Sequence, residues 1–183
     1  MRIREATPED APGLAYVSYT SRRTTYTGIL PDSMLETIGM EERIARWKAR
    51  LEEEDLSRFC YVVEDEGGAI VGFATGGPSR DHDPNYPGEL YTLYLLQETQ
   101  RKGLGRRLVT QVAQRLHDGG FSAMLLHVLA TNPACGFYER MGGQVLRNGT
   151  WEAGDLSFPD VTYGWPDLRI LLPPAPDENS HLG

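Results

Sequence analysis

Glu89-Leu90-Tyr91-Thr92-Leu93-Tyr94-Leu95-Leu96-Gln97-Glu98-Thr99-Gln100-Arg101-Lys102-Gly103-Leu104-Gly105-Arg106-Arg107-Leu108 carries most of what the chain reveals about itself. Glu89–Leu96 reads as a strand and Gln97–Lys102 as a loop. Leu104, Leu108, Val112 and Leu116 then recur every four residues as one face of a helix that ends at Gly119-Gly120. Two glycines at the junction let the backbone approach a ligand closely, and the helix start offers N–H groups with no partner of their own. Arg101, Lys102, Arg106 and Arg107 crowd that same end, where the helix macrodipole disfavours cations by up to about 1 kcal/mol each. An anion would compensate them; the alternative is a glycine turn whose basic side chains simply stand in water. A P-loop would end in Gly-Lys-Ser/Thr, which is absent. A dinucleotide fingerprint would place three glycines early in a repeated strand–helix unit, whereas two stand here beyond the midpoint of the chain.

Upstream of this stretch, Ile3 opens a short strand. Thr7-Pro8-Glu9-Asp10 provides an N-cap, a proline and an acid at helix-start spacing, with Leu14 and Val17 inward. Thr24–Pro31 reads as a loop. Glu41–Glu54 reads as an amphipathic helix with Ile44, Trp47 and Leu51 inward and its charges on a solvated face. Phe59–Val63, the turn Asp65–Gly68 and Ala69–Ala74 form a hairpin, and Arg80–Gly88 is a loop. Downstream, Ser122–Leu129 is an apolar strand buried on both faces, Asn132 caps a short helix Pro133–Met141, and two late strands lie near Gln144–Arg147 and Leu156–Trp165.

The 183 residues suit one domain, 1–172, followed by a flexible proline-rich tail, 173–183. Acidic residues outnumber basic ones 26 to 18, so the net charge of −8 argues against a nucleic-acid partner and makes the basic turn a local exception. An acidic surface with Asp81 and Asp83 suits a cationic acceptor such as a polyamine, an aminoglycoside or a lysine side chain; alternatively it only keeps the protein soluble. No apolar run approaches the roughly 20 residues of a membrane span, and no signal core follows Met1, so a cytoplasmic location without membrane contact is expected. Cys60 reads as buried filler. His117 and His127 lack ligand spacing, so no metal is expected.

Gln100-x-x-Gly103-x-Gly105 resembles the Gln/Arg-x-x-Gly-x-Gly/Ala turn of the GNAT superfamily of N-acetyltransferases. Asn132-Pro133-Ala134-Cys135-Gly136-Phe137-Tyr138-Glu139-Arg140-Met141-Gly142 resembles its second block, with Cys135 at the usual alanine. The likeness extends over residues 2 to 170. It implies an α/β (α+β) fold with a mixed, mostly antiparallel central sheet of about six to seven strands, splayed in the middle and flanked by about four helices.

It also implies transfer of acetyl from acetyl-CoA to a primary amine of a small molecule or peptide by direct attack. A non-catalytic acyl-CoA sensor or scaffold is the alternative. The main chain of Leu93 and Leu95 would meet the pantetheine arm. Gln100, Arg101, Lys102, Gly103, Leu104, Gly105 and Arg106 would hold the pyrophosphate, and Asn132 and Cys135 would lie near the thioester. Tyr138 would donate the proton to the departing thiolate, since a phenol is protonated at neutral pH, although packing alone would also place a tyrosine there. Glu89 would accept the amine's proton directly or through water, or is only a strand-edge carboxylate. Tyr26, His82, Asp83, Tyr86 and Tyr91 would line the acceptor side. Apart from the resemblance, the apolar late strands and Tyr163-Gly164-Trp165 offer a contact for a homodimer, without fixing the oligomeric state.

Overall fold

The computed structural model describes residues 1–174 apart from Thr37, Glu54 and Leu56. Strand β1 (Arg2–Glu5) leads into a 3₁₀ turn at Pro8–Asp10, where Asp10 Oδ2 accepts the Thr7 N–H at 2.8 Å and so closes the capping arrangement expected there. Helix α1 (Ala11–Tyr26) runs past the loop expected from Thr24. Thr24 and Thr27 turn their hydroxyls back onto the Thr20 and Arg23 carbonyls, 2.7 Å each, and satisfy the last turn themselves. Short α2 (Asp32–Leu35) and α3 (Met40–Glu52) follow.

Strands β2 (Phe59–Glu64) and β3 (Ile70–Pro78) make the expected hairpin, and β4 (Gly88–Leu95) returns beside it. Then come α4 (Leu104–Asp118), β5 (Met124–Leu129), α5 (Cys135–Arg140), β6 (Gln144–Ala153) and β7 (Leu156–Trp165). The seven strands form one sheet in the order β1-β2-β3-β4-β5-β7-β6. Every neighbouring pair is antiparallel except β4 and β5. Five α-helices stand among the described residues where about four are expected; Pro31-Asp32-Ser33 offers a helix start in the sequence, and the single turn α2 forms there.

The expected contact between copies changes. Tyr163 and Trp165 are 2% and 0% exposed, so the segment expected to join two copies is instead the core of one copy. The Tyr163 hydroxyl donates to Glu139 at 2.8 Å and the Trp165 indole to the Met141 carbonyl at 3.0 Å, which fastens α5 to β7. The expected tail lies mostly outside the described residues, from 175 onward. No helix among the described residues is long and apolar enough to cross a membrane.

The core gives a pH prediction. Burial pushes the Cys60 thiol up to about 12 from an ordinary 9.0, and the Tyr94 phenol up to about 12 from 10.0. Both groups stay neutral in the fold but ionise in the unfolded chain, so the stability they contribute is whole below about pH 9 and is lost as pH rises toward 12. The melting temperature followed by circular dichroism should hold from pH 7 to about 8.5 and fall above it. In Cys60→Ala the fall should begin later, nearer the range where phenols ionise.

Candidate active site

Strands β4 and β5 pair only at their starts, Gly88 with Met124 and Glu89 with Leu125. Beyond Glu89 no described residue pairs with β4 on that side, which opens a wedge in the sheet. The phase of β4 decides what faces the wedge. The Leu96 N–H donates to Val71 at 3.0 Å, so Leu96, Tyr94 and Thr92 turn their main-chain groups toward β3, and Leu93 and Leu95 turn theirs into the wedge. The Leu95 carbonyl is already held there by Ser21 Oγ at 3.2 Å and Gln100 Nε2 at 3.1 Å. Gln100 therefore braces the strand end against the turn, and Ser21 is a second brace that the sequence reading missed.

The turn itself is built on unusual backbone. Arg101 and Gly103 both have positive φ, 58° and 78°. A non-glycine residue held in that region costs about 1–2 kcal/mol. At Gly105 a Cβ would stand 3.4 Å from the Phe137 ring and 3.6 Å from Leu95, ordinary contact that leaves space for an alanine but for little more. Helix α4 makes its first backbone bond from the Arg107 N–H to the Gly103 carbonyl, 3.1 Å, so the amides of Gly103 to Arg106 carry no helical acceptor. Arg101, Lys102, Arg106 and Arg107 are exposed around them, while the Leu104 side chain is buried in the core and leaves only its amide to the site.

Across the wedge, Asn132 does not cap the helix directly, since α5 begins only at Cys135. Its Oδ1 instead accepts the Ala134 N–H at 2.8 Å, shaping the turn, and its Nδ2 donates to the Tyr26 hydroxyl at 2.9 Å. Tyr138 packs edge-on to Phe137 and Trp165 and against Tyr163, with centroids at 5.3, 6.4 and 6.1 Å. Burial first, then the nearby Tyr26, Tyr94 and Cys135, raise its phenol pKa, so Tyr138 holds its proton at neutral pH. Among the described residues its hydroxyl has no hydrogen-bond partner. The Cys135 thiol is likewise raised, by burial, and is no ready thiolate. Tyr26, Asn132, Cys135 and Tyr138 thus converge.

The other candidates form separate arrangements. Glu89 is 0% exposed, and its carboxylate accepts the Arg80 backbone N–H at 2.8 Å and Nε at 2.9 Å, with Nη2 on the same oxygen as Nε. Arg80 also lies over the Tyr91 ring, whose hydroxyl donates to the Pro78 carbonyl at 2.6 Å. Glu89 and Tyr91 are therefore held as a unit with Arg80. In the 79–87 loop, Arg147 engages both Asp81 and Asp83, Tyr86 packs against Gly164, and His82 is exposed. The two acids that suggested a cationic acceptor are already paired with Arg147. His127 Nε2 lies 3.2 Å from Asp81, but off the line of a hydrogen bond. Among the described residues no His, Cys, Asp or Glu cluster can hold a metal.

Two surface cavities among the described residues bear on where ligands could sit. The larger, about 550 Å³, is lined by Glu9, Asp10, Asp65, Glu98 and neighbours at the outer end of α1, and it includes neither the glycine turn nor Tyr138. The smaller, about 220 Å³, lies over Thr92 and Tyr94 of β4 between α1 and α3. It also contains Arg43, which is 8% exposed although it lies on a helix whose charges suit a solvated face. Its spacing of four from Trp47 was the available signal.

The model of the Acetyltransferase (GNAT) family matches residues 20–143. The uncharacterized N-acetyltransferase YuaI of Bacillus subtilis (strain 168) is 37% identical over 169 residues, covering 92% of this chain and 95% of its own. The L-amino acid N-acyltransferase MnaT of Escherichia coli (strain K12) is 27% identical over 73% of each chain. The structure of yncA, a putative acetyltransferase from Salmonella typhimurium with its cofactor acetyl-CoA, superposes with a TM-score of 0.68 at 22% identity, covering 97% of this chain and 98% of that one. With the family model over most of the chain and a full-length relative above a third identical, this protein belongs to the GNAT family and is an N-acetyltransferase.

Proposed function

We propose that the protein transfers the acetyl group of acetyl-CoA directly to a primary amine of a small molecule or peptide, with Tyr138 as the general acid. The observation that carries this reading is the wedge beyond Glu89, bordered by the free amides of the α4 start on one side and by the Tyr138 phenol on the other. The amides of Gly103 to Arg106, with Arg101 and Arg106, suit the pyrophosphate, and the main chain of Leu93 and the Leu95 N–H suit the pantetheine amides.

A protonated amine first loses a proton to water. Its nitrogen then forms the C–N bond to the acetyl carbonyl carbon, and the C–S bond breaks. Tyr138 passes its proton to the sulfur, and the second proton leaving nitrogen restores the phenol through water. An ammonium and acetyl-CoA thus become an amide, free CoA and one proton. A phenol of raised pKa remains a workable donor because the same dry surroundings also raise the proton affinity of the thiolate. The raised Cys135 thiol supports direct attack over an acetyl-enzyme.

Glu89 is badly placed to be the base, because it is buried and both of its carboxylate oxygens are already taken by Arg80, Oε2 by the backbone N–H and Oε1 by the guanidinium. We assign it to holding β4 and Arg80, and solvent to taking the amine's proton. Glu89→Gln should lower the melting temperature yet leave the acid limb of the kcat/KM profile in place; a displaced limb would restore it as the base. The main test is incubation with acetyl-CoA and an amine panel, following thiol release. Thermal stabilisation by CoA with no release on any amine would favour the sensor reading instead.

A further inference from the structure

The chain is acidic overall, yet the 220 Å³ cavity on β4 is lined by Ser18 and Arg22 of α1, Arg43, Arg46, Trp47 and Arg50 of α3, Ile38, Phe73, Thr92 and Tyr94, with four cations and no carboxylate. Together with the four at the glycine turn, eight of the 18 basic side chains occupy these two places. On α3 the spacing of 43, 47 and 50 puts arginine, tryptophan and arginine on one face. Arg46 is paired with Glu42 at 2.6 Å, but among the described residues no carboxylate meets Arg22, Arg43 or Arg50. Arg43 is the telling case. Its Nε and Nη2 donate to the Ile38 and Leu35 carbonyls, 3.2 Å each, and its guanidinium lies 5.1 Å from the Tyr19 ring centroid. A cation so far removed from water, held by neutral groups alone, is costly unless an anion comes to it.

The cavity also lies close to the chemistry. Thr92 and Tyr94 on its floor alternate along β4 with Leu93 and Leu95, whose main chain faces the wedge, and Tyr94 neighbours the Tyr138 phenol. At about 220 Å³ it falls below the roughly 300 Å³ at which sites for drug-sized ligands begin, so a small metabolite suits it better than a folded chain or an oligosaccharide.

We infer that the acceptor is a small amine bearing its own anion, of the α-amino-acid class, whose carboxylate is held by Arg22 and Arg43 while the amine reaches the wedge. This rests on the acetyl-transfer reading and reverses the cationic acceptor that the overall charge suggests. Carboxylate to guanidinium is a strong charge-assisted contact, and the aromatic wall of Trp47, Phe73 and Tyr94 gives an apolar side chain a place to lie.

The test uses α-amino acids and their carboxamides as paired acceptors, which differ only in the charge at issue. Thiol release should show kcat/KM at least about tenfold higher for the acids. In Arg22→Gln, KM for the acids should rise about tenfold while kcat and the KM of the carboxamides stay as they were. Arg22 is the first variant because Arg43 also ties the turn between α2 and α3, so Arg43→Gln is to be read only where its melting temperature matches the parent. Calorimetry of the same pairs on CoA-saturated protein should show the same preference without turnover. Carboxamides equal to the acids, or an Arg22→Gln that treats both alike, would overturn the inference while acetyl transfer stands. Absence of both CoA heat and thiol release would overturn acetyl transfer and this inference with it.

Discussion

Tyr138→Phe should lower kcat by about 10²–10⁴, the range expected for loss of a positioned acid, while the fold and KM for acetyl-CoA are left nearly unchanged. That fall corresponds to about 2.7–5.4 kcal/mol of barrier. The substitution is clean for a structural reason. The phenylalanine ring keeps its contacts with Phe137, Tyr163 and Trp165, and the hydroxyl it loses has no hydrogen-bond partner among the described residues. A residue that only fills space would show the opposite, an unchanged kcat. Because burial raises the phenol pKa, no loss of activity should set in as pH climbs toward the ordinary phenol range; a basic limb assigned to Tyr138 below about pH 9 would contradict the environment described. Tyr26 neighbours Tyr138, so residual turnover in Tyr138→Phe that disappears in Tyr26→Phe/Tyr138→Phe would identify Tyr26 as a substitute donor.

The strand–turn–helix and the Asn132–Gly142 block were legible because their signals are local. Glycine at a left-handed position, four cations at a helix start and leucines at four-residue intervals are all read within one segment. What escaped depended on contacts between distant segments or on strands of mixed composition. β7 has the expected bounds, Leu156–Trp165, but β6 runs to Ala153, past the strand expected near Gln144–Arg147, and it accommodates Asn148, Gly149 and Glu152 because it is the exposed edge of the sheet. Glu89 looked like a free carboxylate because Arg80, nine positions before it, reaches it only through the fold. β4 also carries a bulge: Thr92 faces Thr75 and Leu90 faces Gly76, leaving Tyr91 unpaired between them and turning it toward Pro78. Arg43 looked solvated on a charged helix, and only the packing of α1 and of the chain after α2 covers it.

Reversing charge at the turn, in Arg101→Glu/Arg106→Glu, should raise KM for acetyl-CoA by about 10²–10³ and leave kcat at saturation within a few fold. Charge-assisted hydrogen bonds are worth about 1.5–3 kcal/mol each, and the exposure of both side chains favours the lower end. The effect on stability separates binding from folding. Acids at a helix start are favoured by the macrodipole where arginines are not, so the double variant should melt at or slightly above the parent temperature even as it loses its cosubstrate. The parent KM should climb with added salt and that of the variant should not, because screening acts on an attraction the variant no longer has. A basic cluster that only stands in water would give the reverse result: KM unchanged, with whatever stability was gained. That outcome would strip the α4 start of its role toward the pyrophosphate and leave the wedge beyond Glu89 without an anchor for the cosubstrate.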